Sequence, residues 1–259
     1  MRLSVQNAAG SIKASITEDM SNPSVDTDHL VAMLRITGCP REITYQGRHM
    51  ECLGQGFQYT AYGDKTLVYK VSLSVDQVCD KFRATWGGGS PDRERVAHDR
   101  EAGLAVVRET RDRLESGQLP KALIADANID EQLNYEQSRV TPLRKVFGQS
   151  SLEEQKHLVD RYVECVKTLI KHGTYETGFA LLDNFGLNSR GQTVLLDFGE
   201  LSFVKEVALD SASKQPWAND RGGVKVLEGE VLDYYLSRMR AEITPEFVDR
   251  EWEANVERN

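Results

Sequence analysis

Two polar residues at one end of a predicted hairpin have the chemistry of metal ligands. Asn184 precedes one short apolar strand, and Asp197 follows the second, Thr193 to Leu196, thirteen residues later. A Ser189-Arg190-Gly191 turn joins the two strands. Amide and carboxylate oxygens on both arms of a hairpin are hard ligands that suit Mg²⁺.

A second group of residues, far upstream, is suited to phosphate. Gly54-Gln55-Gly56 interrupts a predicted strand, and Lys70 lies on a later strand of the same meander. Glycine lets backbone amides approach a phosphate, and a nearby lysine ammonium can reach its oxygens. A Gly-x-Gly in a hairpin is also typical of a β-bulge, so both interpretations stay open for this motif alone.

In this order and spacing, the motifs resemble the protein-kinase-like superfamily. Asp197-Phe198-Gly199 ends an apolar strand, downstream of the strand lysine and of an amphipathic helix predicted over Ser151 to His172. The resemblance covers residues 48–200. It implies an α+β, bilobal protein-kinase-like fold with a small N-lobe of antiparallel sheet plus helix and a reduced, mostly helical C-lobe. We place the N-lobe at 29–145 and the C-lobe at 146–259, after a flexible polar arm at 1–28.

The resemblance also implies roles for these residues. Gly54 and Gly56 would cover the phosphates of ATP, Lys70 would neutralise their charge, and Asn184 with Asp197 would bind Mg²⁺. In that family a helix glutamate holds the lysine toward the phosphates. Glu101 is our candidate because it flanks the apolar stripe of the next predicted helix, whereas a solvated Glu101 is the alternative.

The catalytic aspartate of protein kinases is missing. Its position, five residues before Asn184, is Phe179. Asp183 or Glu176 could take over from a neighbouring backbone position, and the resemblance favours Asp183 as a substrate-contacting carboxylate. The alternative is that both are ordinary loop carboxylates.

A second register, Asp183 to Asn188, has the family's spacing between the catalytic Asp and the metal-binding Asn. Asn188 is only nine residues before Asp197 and belongs to the hairpin turn, so we reject this register. His172 resembles part of a small-molecule kinase motif, but it is too far upstream and more typical of a helix C-terminus.

The chain also departs from the family in two other places. Tyr59 occupies the position of the third loop glycine, and no Ala-Pro-Glu follows between Glu200 and Asn219. This pattern indicates a minimal, atypical, bacterial-type kinase or pseudokinase.

Composition excludes several other classes. The net charge of −8 and pI near 5.3 argue against binding to a nucleic-acid backbone. There is no apolar run of the about 18 residues that a membrane helix needs, so we expect no membrane partner and a cytoplasmic location. The four cysteines, which form no Cys-x-x-Cys pair, indicate neither a zinc site nor disulfides: Cys39, Cys52, Cys79 and Cys165.

The element pattern agrees with an α+β plan. We predict a β-meander from Glu42 to Val71 and two further strands at Pro120 to Ile129 and Leu133 to Thr141. The predicted helices are Asp28 to Ile36, Pro91 to Ser116 with Ser90 as N-cap, Ser151 to His172, 226–241, and one from Pro245.

These observations predict a kinase-like phosphotransferase that uses ATP and Mg²⁺ on a protein or small-molecule hydroxyl. Two alternatives stay open because of Phe179. One is a pseudokinase that binds nucleotide as a regulatory or scaffold module, and the other is a kinase-like enzyme that transfers the AMP group.

Overall fold

The computed structural model describes residues 39–56, 58–86, 91–219 and 222–256. Within them the chain is α+β, with antiparallel strands and helices, as predicted. It divides into two compact units. The first comprises the described residues up to Gly103 together with Glu131–Tyr135, and the second comprises the rest. The predicted polar arm, the helix at 28–36 and the glycine connector at 87–89 lie outside the described residues, and the lobe boundary at residue 145 stays a prediction.

The first unit begins with the predicted β-meander, which is confirmed. Each strand pairs antiparallel with the next along the chain. Gln46 and Gly47 both have positive φ, as a tight two-residue hairpin turn requires. The strands are β1 Glu42–Tyr45, β2 Arg48–Gln55, β3 Tyr59–Gly63 and β4 Leu67–Ser72.

Helix α1, Val75–Trp86, follows β4 and is absent from the sequence-based prediction. Its N-terminus carries a reciprocal capping pair, in which Gln77 N donates to Ser74 Oγ and Ser74 N donates to Gln77 Oε1. Val78 and Cys79 pack in a small core with Leu73. The Ser-x-x-Gln spacing was therefore the local signal for this helix.

Helix α2, Arg93–Glu115, begins in the first unit and ends in the second. Ser90, the predicted N-cap, lies outside the described residues. The helix begins at Arg93 and not at Pro91, and Asp92 accepts hydrogen bonds from the amides of Glu94 and Arg95, as an N-cap residue does. Its predicted apolar stripe is confirmed as buried: Val96, Leu104, Val107 and Leu114.

The predicted strand from Pro120 to Ile129 is largely wrong. Lys121–Ile124 forms a 3₁₀ turn, and Ala125 and Asp126 then take left-handed backbone conformations that end it. Only β5, Asn128–Ile129, is a strand. The buried apolar residues of this segment mimic a strand in composition although they line a compact turn. The second predicted strand is present in shorter form as β6 Tyr135–Ser138 and β7 Thr141–Pro142.

Helix α4, Leu152–Lys171, is the centre of the second unit and confirms the helix predicted at 151–172. Ser151 and Glu154 form the predicted capping box, and Gly173 ends the helix with a positive φ. The other elements of this unit are α3 Leu143–Phe147, β8 Tyr175–Glu176, β9 Phe185–Leu187, β10 Thr193–Leu195, β11 Leu201–Ser202, α5 Lys205–Lys214, α6 Gly229–Glu242 and α7 Pro245–Val256.

The predicted helices at 226–241 and from Pro245 are confirmed as α6 and α7. Helix α5 was not predicted; it lies between Glu200 and Asn219, where the sequence lacks an Ala-Pro-Glu motif. Among the described residues, no helix combines the length and the apolar character that crossing a membrane requires. All four cysteines are free thiols.

Two tyrosines, Tyr162 in α4 and Tyr234 in α6, allow a matched test of the packing around α4. The Tyr162 hydroxyl is fully buried and has no hydrogen-bond partner among the described residues, whereas the Tyr234 hydroxyl donates to Asp160 at 2.9 Å. Because a buried unsatisfied hydroxyl costs free energy, Tyr162→Phe should keep or raise the free energy of unfolding. Tyr234→Phe should lower it by about 1 kcal/mol. Urea denaturation measures both, and a clear loss in Tyr162→Phe would contradict the absence of a partner.

Candidate functional site

The glycine motif forms a bulge followed by a tight turn. Gly54 has a φ of +154°, and the pairing of β2 with β3 shifts register between Cys52 and Gly54. Gly56 N donates to Tyr59 O at 2.7 Å and closes the turn. The bulge interpretation is therefore confirmed, and the backbone conformation requires glycine at position 54. That the motif contacts phosphate stays a prediction.

Lys70 is held on β4 by an aromatic cluster of the first unit. It pairs with Ala61 on β3, and its Nζ lies 5.1 Å from the centre of the Tyr135 ring. Tyr135 packs edge-on against Tyr59, whose hydroxyl donates to Leu133 O at 2.9 Å. A ring face attracts an ammonium group, so this cluster orients the Lys70 side chain.

Glu101 lies on the exposed side of α2. Its neighbours fasten the helix to the meander: Arg100 Nε donates to Leu73 O, and a Cβ on Gly103 would lie 1.6 Å from Gln58 Nε2. The N-terminal part of the helix therefore has a fixed position within the first unit. That Glu101 positions Lys70 stays a prediction.

The hairpin of β9 and β10 brings Asn184 and Asp197 to the same end. Phe185 pairs with Leu195, and Leu196 N donates to Asn184 O at 2.7 Å, which extends the ladder by one residue. Asp197 follows immediately, and its Oδ1 accepts from Gly199 N at 3.3 Å. Asn188 belongs to the turn, where its Oδ1 accepts two backbone amides, in agreement with our rejection of the second register.

Two glutamates hold the side chain of Asn184, which is 2% exposed. Asn184 Nδ2 donates to Glu200 Oε2 at 3.3 Å and to Glu176 Oε1 at 3.5 Å. The amide nitrogen of Asn184 therefore faces these two groups. This orientation keeps Asn184 Oδ1 as the oxygen that can bind a cation.

Glu176 also shapes the turn where a kinase would carry its base. Its carboxylate is fully buried and accepts from Gly178 N at 3.0 Å and from Phe179 N at 2.6 Å. Phe179 has a φ of +50° and is fully buried, with its ring edge-on to Tyr175 and Trp217. A core aromatic therefore occupies the position of the missing aspartate.

Gly178 gives the two carboxylates the space they occupy. A Cβ at this position would lie 1.9 Å from Glu200 Oε2 and 2.9 Å from Glu176 Oε1. Strand β11 pairs with β8, and Thr177 N donates to Glu200 O at 2.9 Å, so the chain after Asp197 returns alongside Glu176.

Asp183 is engaged in an ion pair. Arg144 Nε and Nη2 donate to its two carboxylate oxygens at 2.8 and 3.0 Å, and the Asp183 side chain is 32% exposed. This bidentate ion pair engages both oxygens of the carboxylate. Asp183 would have to leave Arg144 before it could accept a proton from a substrate.

Two side chains of the site region have no role in the sequence-based prediction. Glu200 contacts Asn184 only because β11 returns to β8, which no local pattern reports. Lys81 donates from α1 to the carbonyls of Gln55 and Gly56 at 2.5 and 2.8 Å. The capping pair at Ser74 could have predicted helix α1, but not the contact of Lys81 with the two carbonyls.

The oxygen donors at this end of the hairpin suit Mg²⁺ better than a metal ion that is coordinated only by protein side chains. Asn184 Oδ1 and the Asp197 carboxylate are hard ligands at one end of the hairpin, and Mg²⁺ commonly takes one or two such groups plus water and phosphate oxygens. Within the described ranges, no group of three or more His, Cys, Asp or Glu side chains is arranged to hold a metal.

Comparison with known proteins gives weak structural similarities. No family model and no curated protein matches the sequence. The fold is similar to WbdD, a bifunctional kinase-methyltransferase, with a TM-score of 0.42 and 11% identity over 82% of this chain and 49% of WbdD. It is also similar to Rv3197 of Mycobacterium tuberculosis, solved with erythromycin, with a TM-score of 0.40 and 11% identity over 93% of this chain and 68% of Rv3197. The chain spans about half the length of WbdD, and similarities of this size do not define a family.

The contact between Gly178 and the carboxylates can be tested by substitution. Gly178→Ala should lower the free energy of unfolding by about 1–3 kcal/mol, because its Cβ must displace Glu200 or Glu176. Gly148→Ala is the matched control: its Cβ would come no closer than 3.6 Å to Arg144 O, so its effect should stay within about 0.5 kcal/mol. Urea denaturation of both variants measures the difference, and equal stabilities would contradict the tight contact.

The burial of Lys81 predicts a pH dependence. Burial lowers the pKa of its ammonium from 10.5 to about 8, and a nearby charge on Cys39 opposes this shift. Between these two pKa values the unfolded chain binds more protons, so stability should rise with pH. From pH 7.5 to 9.5 the wild type should gain about 1–2 kcal/mol of unfolding free energy relative to Lys81→Met. Denaturation at both pH values tests this, and a constant difference would contradict the lowered pKa.

Proposed function

We propose that this chain is an ATP- and Mg²⁺-binding, kinase-like protein that transfers a phosphoryl group to a hydroxyl of a protein or small molecule. The observation that carries the proposal is the hairpin end where Asn184 and Asp197 meet. The Asn184 side chain is held there by hydrogen bonds from its Nδ2 to Glu176 and Glu200. When bound, Mg²⁺ would neutralise phosphate charge beside these residues.

The proposed arrangement is bilobal, with the first unit supplying the phosphate contacts. Lys70 would neutralise the α and β phosphates, Glu101 would position Lys70, and the turn from Gly54 to Gly56 would cover the nucleotide. The cation–π contact with Tyr135 supports a defined position for the Lys70 ammonium.

Phosphoryl transfer depends mainly on positioning and charge neutralisation, so it can proceed without the usual aspartate. Asp183 is the acidic residue next to Asn184 that would contact the acceptor hydroxyl. Its ion pair with Arg144 makes release from that partner a step of acceptor binding. Glu176 already accepts two backbone amides and Asn184, so we assign it to positioning and not to proton transfer.

The second candidate function is a pseudokinase, and the buried ring of Phe179 is the observation that favours it. Such a protein would bind nucleotide and Mg²⁺ to stabilise a surface for a partner. Transfer of AMP, with the nucleotide reversed, is a third outcome that the same experiment distinguishes.

The test is the intact mass of the purified protein after incubation with ATP and Mg²⁺, alone and with pooled protein or small-molecule acceptors. We expect a phosphoryl gain on the protein or on an acceptor, and loss of that gain in Asp197→Ala. Asp210→Ala is the matched control, since Asp210 forms an exposed ion pair with Lys214. A mass gain of an adenylyl group would indicate AMP transfer and not phosphoryl transfer. Equal mass gains in wild type and Asp197→Ala would contradict the assignment of Asp197 as a metal ligand.

Nucleotide binding is measured separately by thermal denaturation. With ATP at 100 times its Kd, the folded state should gain about 2.7 kcal/mol, and Asp197→Ala should remove most of this gain in the presence of Mg²⁺. Binding without any transfer would support the pseudokinase. The absence of any stabilisation of the wild type would overturn the proposed function.

A further inference from the structure

Lys81 is a buried lysine whose ammonium contacts the glycine turn directly. Its residue is 8% exposed, and Nζ donates to Gln55 O at 2.5 Å and to Gly56 O at 2.8 Å. Transfer of an ammonium group out of water is costly unless strong acceptors receive it. The two carbonyl contacts therefore compensate for the burial of this ammonium.

The position of Lys81 on its helix does not depend on its contact with the glycine turn. Helix α1 starts at the capping pair of Ser74 and Gln77, and Val78 and Cys79 anchor it in a small core with Val96. Lys81 follows Val78 by three positions, so it lies on a neighbouring part of the same helix surface. The Lys81 side chain thus extends from a rigid helix, and its ammonium contacts the turn.

The peptide between Gln55 and Gly56 is held at both ends. Its carbonyl oxygen accepts from Lys81, and its N–H donates to Tyr59 O at 2.7 Å. Because a peptide unit is planar, these two bonds fix its orientation. The next carbonyl, that of Gly56, is bound to the same ammonium, although glycine alone would leave this backbone free to rotate.

We propose that Lys81 is a positioning residue that holds the turn from Gly54 to Gly56 ready for the phosphate groups of a nucleoside di- or triphosphate. This inference rests on the proposed function. A turn that is ordered in advance loses less conformational entropy when it closes on a ligand. The ammonium also places a positive charge behind the turn, which favours anionic groups in front of it. The lowered pKa of Lys81 agrees with its burial at this contact.

The proposal predicts a loss of affinity that depends on phosphate. In Lys81→Met, the Kd for ATP with Mg²⁺ should rise about ten-fold, while the Kd for adenosine changes less than about two-fold. Calorimetry with ATP, ADP and adenosine measures these values. Lys214→Met is the matched control, because it removes the same charge from an exposed position paired with Asp210, and it should change neither Kd.

A purely structural role would give another result. Equal losses of affinity for ATP and adenosine, or unchanged values for both, would overturn the inference. Hydrogen exchange of the Gly56 amide is the second readout: it should be faster in Lys81→Met and close to wild type in Lys81→Arg, which keeps the charge and the donors. If Lys81→Met does not fold, Lys81→Gln, which keeps a shorter donor without charge, replaces it in both measurements.

Nucleotide binding by the wild type distinguishes a failure of this inference from a failure of the proposed function. If the wild type binds neither ATP nor ADP, the proposed function fails and the inference fails with it. If the wild type binds ATP and Lys81→Met binds it equally well, only the inference fails.

Discussion

The second unit depends on one buried contact, in which the side-chain amide of Asn184 lies between the carboxylates of Glu176 and Glu200. Each glutamate comes from a different part of the chain, and the pairing of β8 with β11 brings them together. The same contact sets the orientation of Asn184, the position of the Gly178 turn and the burial of Phe179.

The first unit contains two lysines with different surroundings. The ammonium of Lys81 is bound by the carbonyls of Gln55 and Gly56 and is nearly inaccessible to solvent. Lys70 is half-buried and lies over the face of the Tyr135 ring. The phosphate contact proposed above is therefore assigned to the more exposed of the two ammonium groups, that of Lys70.

Local patterns in the sequence were sufficient for the elements whose signals are local. The capping box at Ser151, the glycine stop at Gly173 and the apolar spacing between them defined α4. The turn residues around Asn188 defined the hairpin that brings Asn184 and Asp197 together. Where apolar content was the main signal, as between Pro120 and Ile129, a compact turn was mistaken for a strand, since burial alone does not distinguish them.

The side-chain contacts of the candidate site could not be predicted from local sequence patterns. Glu200 reaches Asn184 through a strand pairing, and Lys81 reaches the glycine turn from a helix that the sequence analysis did not assign. Both contacts join residues far apart in the chain, so no spacing rule reports them. Asp183 was identified as a candidate by its position beside Asn184, but its partner Arg144 is 39 positions away.

The setting of Phe179 has a consequence for how this chain could change over evolution. A carboxylate introduced there would tolerate the left-handed backbone, since aspartate adopts it more easily than most residues. It would, however, be buried among Tyr175, Trp217 and the Glu176 carboxylate. An unpaired charge beside a like charge is strongly unfavourable in such a place. The aromatic residue is therefore entrenched, and an acidic residue could replace it only after its neighbours had changed.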